Sequence, residues 1–120
     1  HEKRIIIFTS KNNSKSHKLL QLGCEIIEMK KENNKLNLKK IFNYLYKLKI
    51  SDLIVEAGGI FFEDLLKNKL VDEIHLFKTP ILIGDRGIPL INGDHFKNVK
   101  KKLLEKIKFD DNLYLKYEIK

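Results

Sequence analysis

The chain has a single cysteine, Cys24, so neither an internal disulfide nor a cysteine-rich metal site can be built from it. Its apolar neighbourhood reads as that of a buried, inert thiol. Arginine is almost as scarce: of 24 basic residues only Arg4 and Arg86 are arginine, and the rest are lysines spread along the whole length. Arginine is the side chain that reads bases and grips phosphates in bidentate fashion, so a dispersed lysine charge argues against a dedicated nucleic-acid surface. The net charge of +8 would still draw anionic small molecules. No apolar run approaches the roughly 18 residues that a membrane helix requires. The opening His1-Glu2-Lys3-Arg4 is followed by too short an apolar stretch for a signal peptide. These absences leave a soluble chain with no membrane and no nucleic acid among its expected partners, and a cytoplasmic location. There is also no internal repeat and no low-complexity linker.

What is present suits one α/β domain spanning residues 1–120, with 42% hydrophobic and 33% charged residues and room for a modest core. Its organising stretch runs from Ser51 to Leu66. Leu53-Ile54-Val55 is short, continuous and largely β-branched, which predicts an interior strand. Glu56 interrupts it where the strand should surface, as a solvated carboxylate or a working one. Ala57-Gly58-Gly59 then removes side chains where the backbone bends, and a helix follows with Phe61, Phe62, Leu65 and Leu66 on its core face. A strand, a glycine turn and a helix start can hold a phosphate, because free amides and the helix dipole converge on one point. The same pattern is also an ordinary tight connection.

Elsewhere, Arg4-Ile5-Ile6-Ile7-Phe8 predicts a buried strand opening into the polar loop Thr9-Ser10-Lys11-Asn12-Asn13-Ser14. Ligands collect beyond the carboxyl ends of such strands, although a helix cap and a solvated loop explain the same residues. A short helix over 14–22 ends at Gly23, and 24–29 forms a strand. A polar connection over 30–35 leads to a helix capped by Asn37, with Leu38, Ile41, Phe42, Leu45 and Leu48 on one face. The first half thus alternates β-α-β-α-β. In the second half 71–77 predicts a strand leaving regular pairing at Thr79-Pro80. His75 within it is a candidate proton donor, read here as a structural or surface residue because single strand histidines more often are. Gly84 and Gly87 mark a loop near the sheet edge, 92–98 a polar surface connection, and 103–119 a hairpin turning at Asp110-Asp111-Asn112.

Three blocks, Leu53-Ile54-Val55-Glu56-Ala57-Gly58-Gly59, Leu70-Val71-Asp72-Glu73-Ile74-His75-Leu76 and Thr79-Pro80-Ile81-Leu82-Ile83-Gly84, occur in the order and spacing of a known family. With the terminal hairpin, nearly the whole chain resembles the reductase domain of the bifunctional riboflavin-biosynthesis proteins of the RibD family. More distantly it is similar to dihydrofolate reductase. The resemblance implies a three-layer dihydrofolate reductase-like α/β domain whose mixed sheet ends in an antiparallel hairpin. It implies NADPH-dependent reduction of 2,5-diamino-6-ribosylamino-4(3H)-pyrimidinone 5′-phosphate, or its deaminated form, to the ribitylamino product, without a metal or an amino-acid nucleophile.

Carried over by motif, Glu56 contacts the phosphorylated pyrimidine substrate, and Gly58, Gly59, Ile60, Phe61 and Phe62 lie along the cofactor phosphates. Thr9 and Ser10 approach the adenosine end of NADPH, and Lys11 pairs with its 2′-phosphate. The family's opening Lys-x-Ala-x-Ser-x-Asp-Gly strand and the zinc-binding deaminase motifs have no counterpart here. The expectation is therefore an incomplete domain from the C-terminal part of a longer protein, not competent alone, with an exposed sheet edge covered in a homodimer. The alternative is a nucleotide-binding or oligomerisation fragment of the same fold without turnover.

Overall fold

The computed structural model describes residues 4–84, 87–90 and 95–120. They form two compact units, divided between Leu53 and Ile54.

In the first unit, strand β1 (Ile6–Thr9) pairs in parallel with β2 (Glu25–Glu28), in the register Ile6 to Glu25 through Thr9 to Glu28. A parallel pair needs a crossover, and helix α1 (Ser14–Gln21) supplies it. Asn13 caps α1 by accepting from the amides of Lys15 and Ser16 at 2.9 and 3.2 Å, and the Ser16 hydroxyl accepts from the Asn13 amide, which closes a capping box. Gly23 ends the turn at φ +83°, in the left-handed region that glycine enters without strain. Cys24 is buried as expected. Arg4 clamps Glu25 with both arms of its guanidinium, Nη2 to Oε2 at 2.8 Å and Nε to Oε1, across the start of the β1–β2 pair.

The segment 30–35, expected as a plain connection, contains a small hairpin of β3 (Lys31–Glu32) and β4 (Lys35–Leu36). Its turn residues Asn33 and Asn34 have φ of +49° and +63°, the conformation that two-residue hairpin loops require and asparagine tolerates. Helix α2 (Leu38–Lys47) then begins at Asn37, which accepts from the Lys40 amide at 3.1 Å and donates to Glu32 at 2.6 Å. The predicted face of Leu38, Ile41, Phe42, Leu45 and Leu48 is half-buried, and Phe8 of β1 meets Tyr44 edge-on at 5.6 Å. Asn37→Ala removes both the cap and the tie to β3. It is expected to lower stability by about 1 kcal/mol, read as a fall in urea midpoint.

In the second unit, helix α3 (Gly59–Lys67) buries Leu65 and Leu66, and β5 (Glu73–Lys78) buries Ile74. Strand β5 pairs antiparallel with β7 (Asn112–Ile119), which pairs antiparallel with β6 (Lys101–Phe109), giving the order β5-β7-β6. The β6–β7 turn is at Asp110-Asp111, with Asp110 at φ +51°, and a bulge at Leu104 shifts the register. A single helical turn, α4 (His95–Asn98), falls within the expected surface connection; residues 92–94 of that stretch lie outside the described residues, as do Asp85, Arg86 and Ile91.

Parallel and antiparallel pairing are both present, as the mixed sheet requires, but in separate ladders among the described residues. The expected interior strand at Leu53-Ile54-Val55 is not formed: the segment has no ladder partner among the described residues, and Ile54 is 94% exposed. An apolar β-branched run specifies extended backbone, and only a neighbouring strand's amides and carbonyls turn that into sheet. Ile81-Leu82-Ile83 behaves likewise, with Leu82 at 95% exposure. Nor is the first strand fully buried: Ile5 is exposed and β1 is half-buried throughout. No helix among the described residues is long and apolar enough to cross a membrane.

Candidate cofactor and substrate site

Helix α3 starts without a capping side chain. Gly58 occupies the cap position in extended conformation, φ −73° and ψ 164°, and the first intrahelical bond runs from the Phe62 amide to the Gly58 carbonyl at 3.0 Å. The amides of Gly59, Ile60 and Phe61 therefore precede the helical ladder, whereas asparagine side chains cap α1 and α2. An uncapped helix start carries partial positive charge and free donors, a receptive arrangement for an anionic oxygen.

The two glycines differ in what surrounds them. A Cβ on Gly58 would meet nothing within 4 Å. On Gly59 it would lie 2.7 Å from both the Pro89 and the Leu90 carbonyl oxygens. Gly59 is thus required by close packing against its own chain, and any contact it makes with a phosphate must come through its amide. At Gly58 a side chain would enter open space.

Glu56, two residues before the cap, is exposed to solvent. Ile60 and Phe61 are exposed at 69% and 42%, so apolar surface flanks these amides. Phe62 turns inward, 6.4 Å from the Phe96 ring of α4. The polar end of β1 belongs to the first unit. There the Thr9 hydroxyl donates to the Lys11 carbonyl at 3.1 Å and accepts from the Lys11 amide at 3.4 Å, which turns the chain out of the strand. Ser10 is half-buried beside it and Lys11 is exposed. Within each unit the named residues are neighbours: Thr9, Ser10 and Lys11 in the first, and Glu56 with Gly58 to Phe62 in the second.

His75 has a different setting. On the exposed face of β5 its Nδ1 lies 2.9 Å from the Tyr114 hydroxyl and its Nε2 3.3 Å from Glu73, which also binds Lys116 at 3.0 Å. The neutral tautomer with a proton on Nε2 satisfies both contacts, accepting from Tyr114 and donating to Glu73. These partners fit the structural reading of His75. Sequence reasoning missed them: the Tyr114 pairing depends on the strand register, while strand alternation, which puts Glu73 two residues away on the same face, could have found that partner.

Three glutamates have pKa values held below the usual carboxylate range: Glu25 by the hydrogen bond from Arg4, Glu32 by those from Lys40 and then Asn37, and Glu73 chiefly by that from Lys116. A lowered folded-state pKa gives stability that is present above the unfolded value of about 4.3 and is lost as the pH falls through the folded-state range. The melting temperature is expected to drop as the pH falls below the unfolded value of about 4.3. The drop should shrink when Glu25, Glu32 and Glu73 are all replaced by glutamine.

Comparison with known proteins bears on all of this. Residues 1–115 match the family model described as the RibD C-terminal domain. The chain is 32% identical over 87 residues to the 2,5-diamino-6-ribosylamino-4(3H)-pyrimidinone 5′-phosphate reductase of Aquifex aeolicus, covering 72% of this chain and 38% of that protein. It is also 32% identical over 117 residues to the riboflavin biosynthesis protein RibD of Aquifex aeolicus, covering 92% of this chain and 31% of that one. Among solved structures, RibD of Acinetobacter baumannii superimposes with a TM-score of 0.78 at 23% identity, over 96% of this chain and 31% of the other, which supports the fold. The chain spans about a third of the length of these relatives. With the family model matching from one end of the sequence almost to the other, the chain belongs to the RibD C-terminal domain family.

Proposed function

We propose that residues 1–120 contribute to a reductase domain that uses NADPH to convert 2,5-diamino-6-ribosylamino-4(3H)-pyrimidinone 5′-phosphate, or its deaminated form, to the ribitylamino product in the cytoplasm. The observation that carries this reading is the uncapped start of α3 with open space at Gly58, in a chain of this family. The residues fit the group: the amides of Gly59, Ile60 and Phe61 are donors suited to a cofactor phosphate, and the exposed faces of Ile60 and Phe61 are apolar surface beside it. When bound, NADPH supplies the hydride that the reaction needs.

Each residue then has a role in binding and orientation. Lys11 pairs with the 2′-phosphate that distinguishes NADPH from NADH, and Thr9 and Ser10 face the adenosine end. Glu56 accepts hydrogen bonds from the substrate and fixes its ribosylamino group. Reduction places a hydride on C1′ and a proton on the ring oxygen as their bond breaks, so the demand on the protein is alignment of two reactants, worth several kcal/mol of barrier.

The test is an assay of NADPH oxidation with the pyrimidine phosphate, with the product identified by mass as two hydrogens heavier. Turnover with NADPH in preference to NADH is expected. Cofactor binding without turnover would favour the nucleotide-binding fragment, and neither binding nor turnover would remove the reading.

A further inference from the structure

We infer that Glu28 is a specificity-determining residue beside the adenosine end of the cofactor: its carboxylate binds the ribose hydroxyls of NADH and opposes the 2′-phosphate of NADPH, so the chain keeps an affinity for both. This rests on the cofactor reading of Thr9, Ser10 and Lys11. Glu28 closes β2, and its partner in the parallel register is Thr9, the last residue of β1. The Met29 amide donates to the Thr9 carbonyl at 2.8 Å, so the pairing holds to the end of both strands. Paired residues of neighbouring strands share a face and stand about 5 Å apart. The Glu28 carboxylate is thus within a side chain's length of the hydroxyl and lysine turn that leaves β1.

Glu28 is also unengaged. Arg4 clamps Glu25 at the other end of the strand, and Lys40 and Asn37 hold Glu32. Among the described residues no hydrogen bond or ion pair reaches Glu28, which is exposed. An ionised carboxylate only accepts hydrogen bonds, and the two hydroxyls of an adenosine ribose are donors that suit it. By the same chemistry an acidic side chain selects unphosphorylated ribose in dinucleotide-binding α/β folds. A 2′-phosphate removes one of those donors and sets a like charge against the carboxylate.

Lys11, exposed on the β1 turn, pulls the other way. Its ammonium favours the phosphate that Glu28 disfavours. The ratio of NADPH to NADH affinity is then a difference between two opposed effects, one on each strand end, and removing either shifts the ratio in its own direction.

Titrations of NADPH and NADH into the wild type, Glu28→Gln and Lys11→Gln test this, with thermal melting confirming the fold of each variant. The wild type is expected to bind both cofactors, NADPH the tighter. Glu28→Gln should raise the affinity for NADPH without raising that for NADH, widening their ratio at least about fivefold, and Lys11→Gln should narrow it. The widening should shrink from about 0.05 to about 0.5 M salt, because screening weakens repulsion between exposed charges and leaves a change of packing untouched. Adenosine 2′,5′-bisphosphate against adenosine 5′-monophosphate isolates this end of the cofactor and should show the same change of ratio. With both cofactors bound, an unchanged ratio in Glu28→Gln, or a widening indifferent to salt, would overturn the proposal and leave the cofactor reading intact. Binding of neither cofactor by the wild type would overturn both.

Discussion

Gly59→Ala is expected to destabilise the protein by about 1–3 kcal/mol, the usual cost of forcing an extra methyl into occupied space. The added carbon would lie 2.7 Å from two backbone oxygens, which cannot rotate away as a side-chain tip can. Either the start of α3 or the Pro89-Leu90 backbone must move. Gly58→Ala is the control: its backbone is extended at φ −73° and nothing stands within 4 Å, so stability should change by less than about 1 kcal/mol. Its effect should appear in NADPH affinity, lowered several-fold by a methyl group at the start of α3. Urea midpoints and cofactor titrations on both variants would read this crossover. If Gly58→Ala lost stability while Gly59→Ala did not, the distinction between the two glycines would be wrong.

Glu56→Gln is expected to lower kcat/KM about 10- to 150-fold, the equivalent of losing one charge-assisted hydrogen bond of about 1.5–3 kcal/mol, while NADPH affinity stays within twofold. The side chain is exposed and no shift of fold is expected, so thermal stability should match the wild type. A rate equal to that of the wild type would remove Glu56 from the substrate site, and a loss of NADPH affinity would move it to the cofactor side.

Local elements of this fold were legible because their determinants are local. Asn37, followed by apolar residues at helical spacing, specifies α2 by itself, and alternation in 113–119 specifies β7. Leu53-Ile54-Val55 was misread because its hydropathy describes a destination rather than a pairing; a strand exists only where a second strand meets it. The β3–β4 hairpin was hidden by polar, charged residues around Asn33-Asn34, where turn chemistry rather than hydropathy held the signal.

The glycine pair at 58 and 59 was visible as a phosphate-cradling pattern. What separates them is a contact with Pro89 and Leu90, some thirty residues away, which no local pattern records. The network of His75, Tyr114, Glu73 and Lys116 was equally out of reach, since it depends on the register of β5 against β7.

The claim on which the functional account turns is that the start of α3 receives the phosphate of NADPH. A titration of NADPH into the isotopically labelled chain, followed by backbone amide resonances, tests it most directly. Saturable shifts are expected at Gly58, Gly59, Ile60 and Phe61 and at Thr9 to Lys11, with the second set weaker for NADH. Binding that leaves the amides of 58–61 unmoved, or no saturable shift at any of these positions, would contradict it.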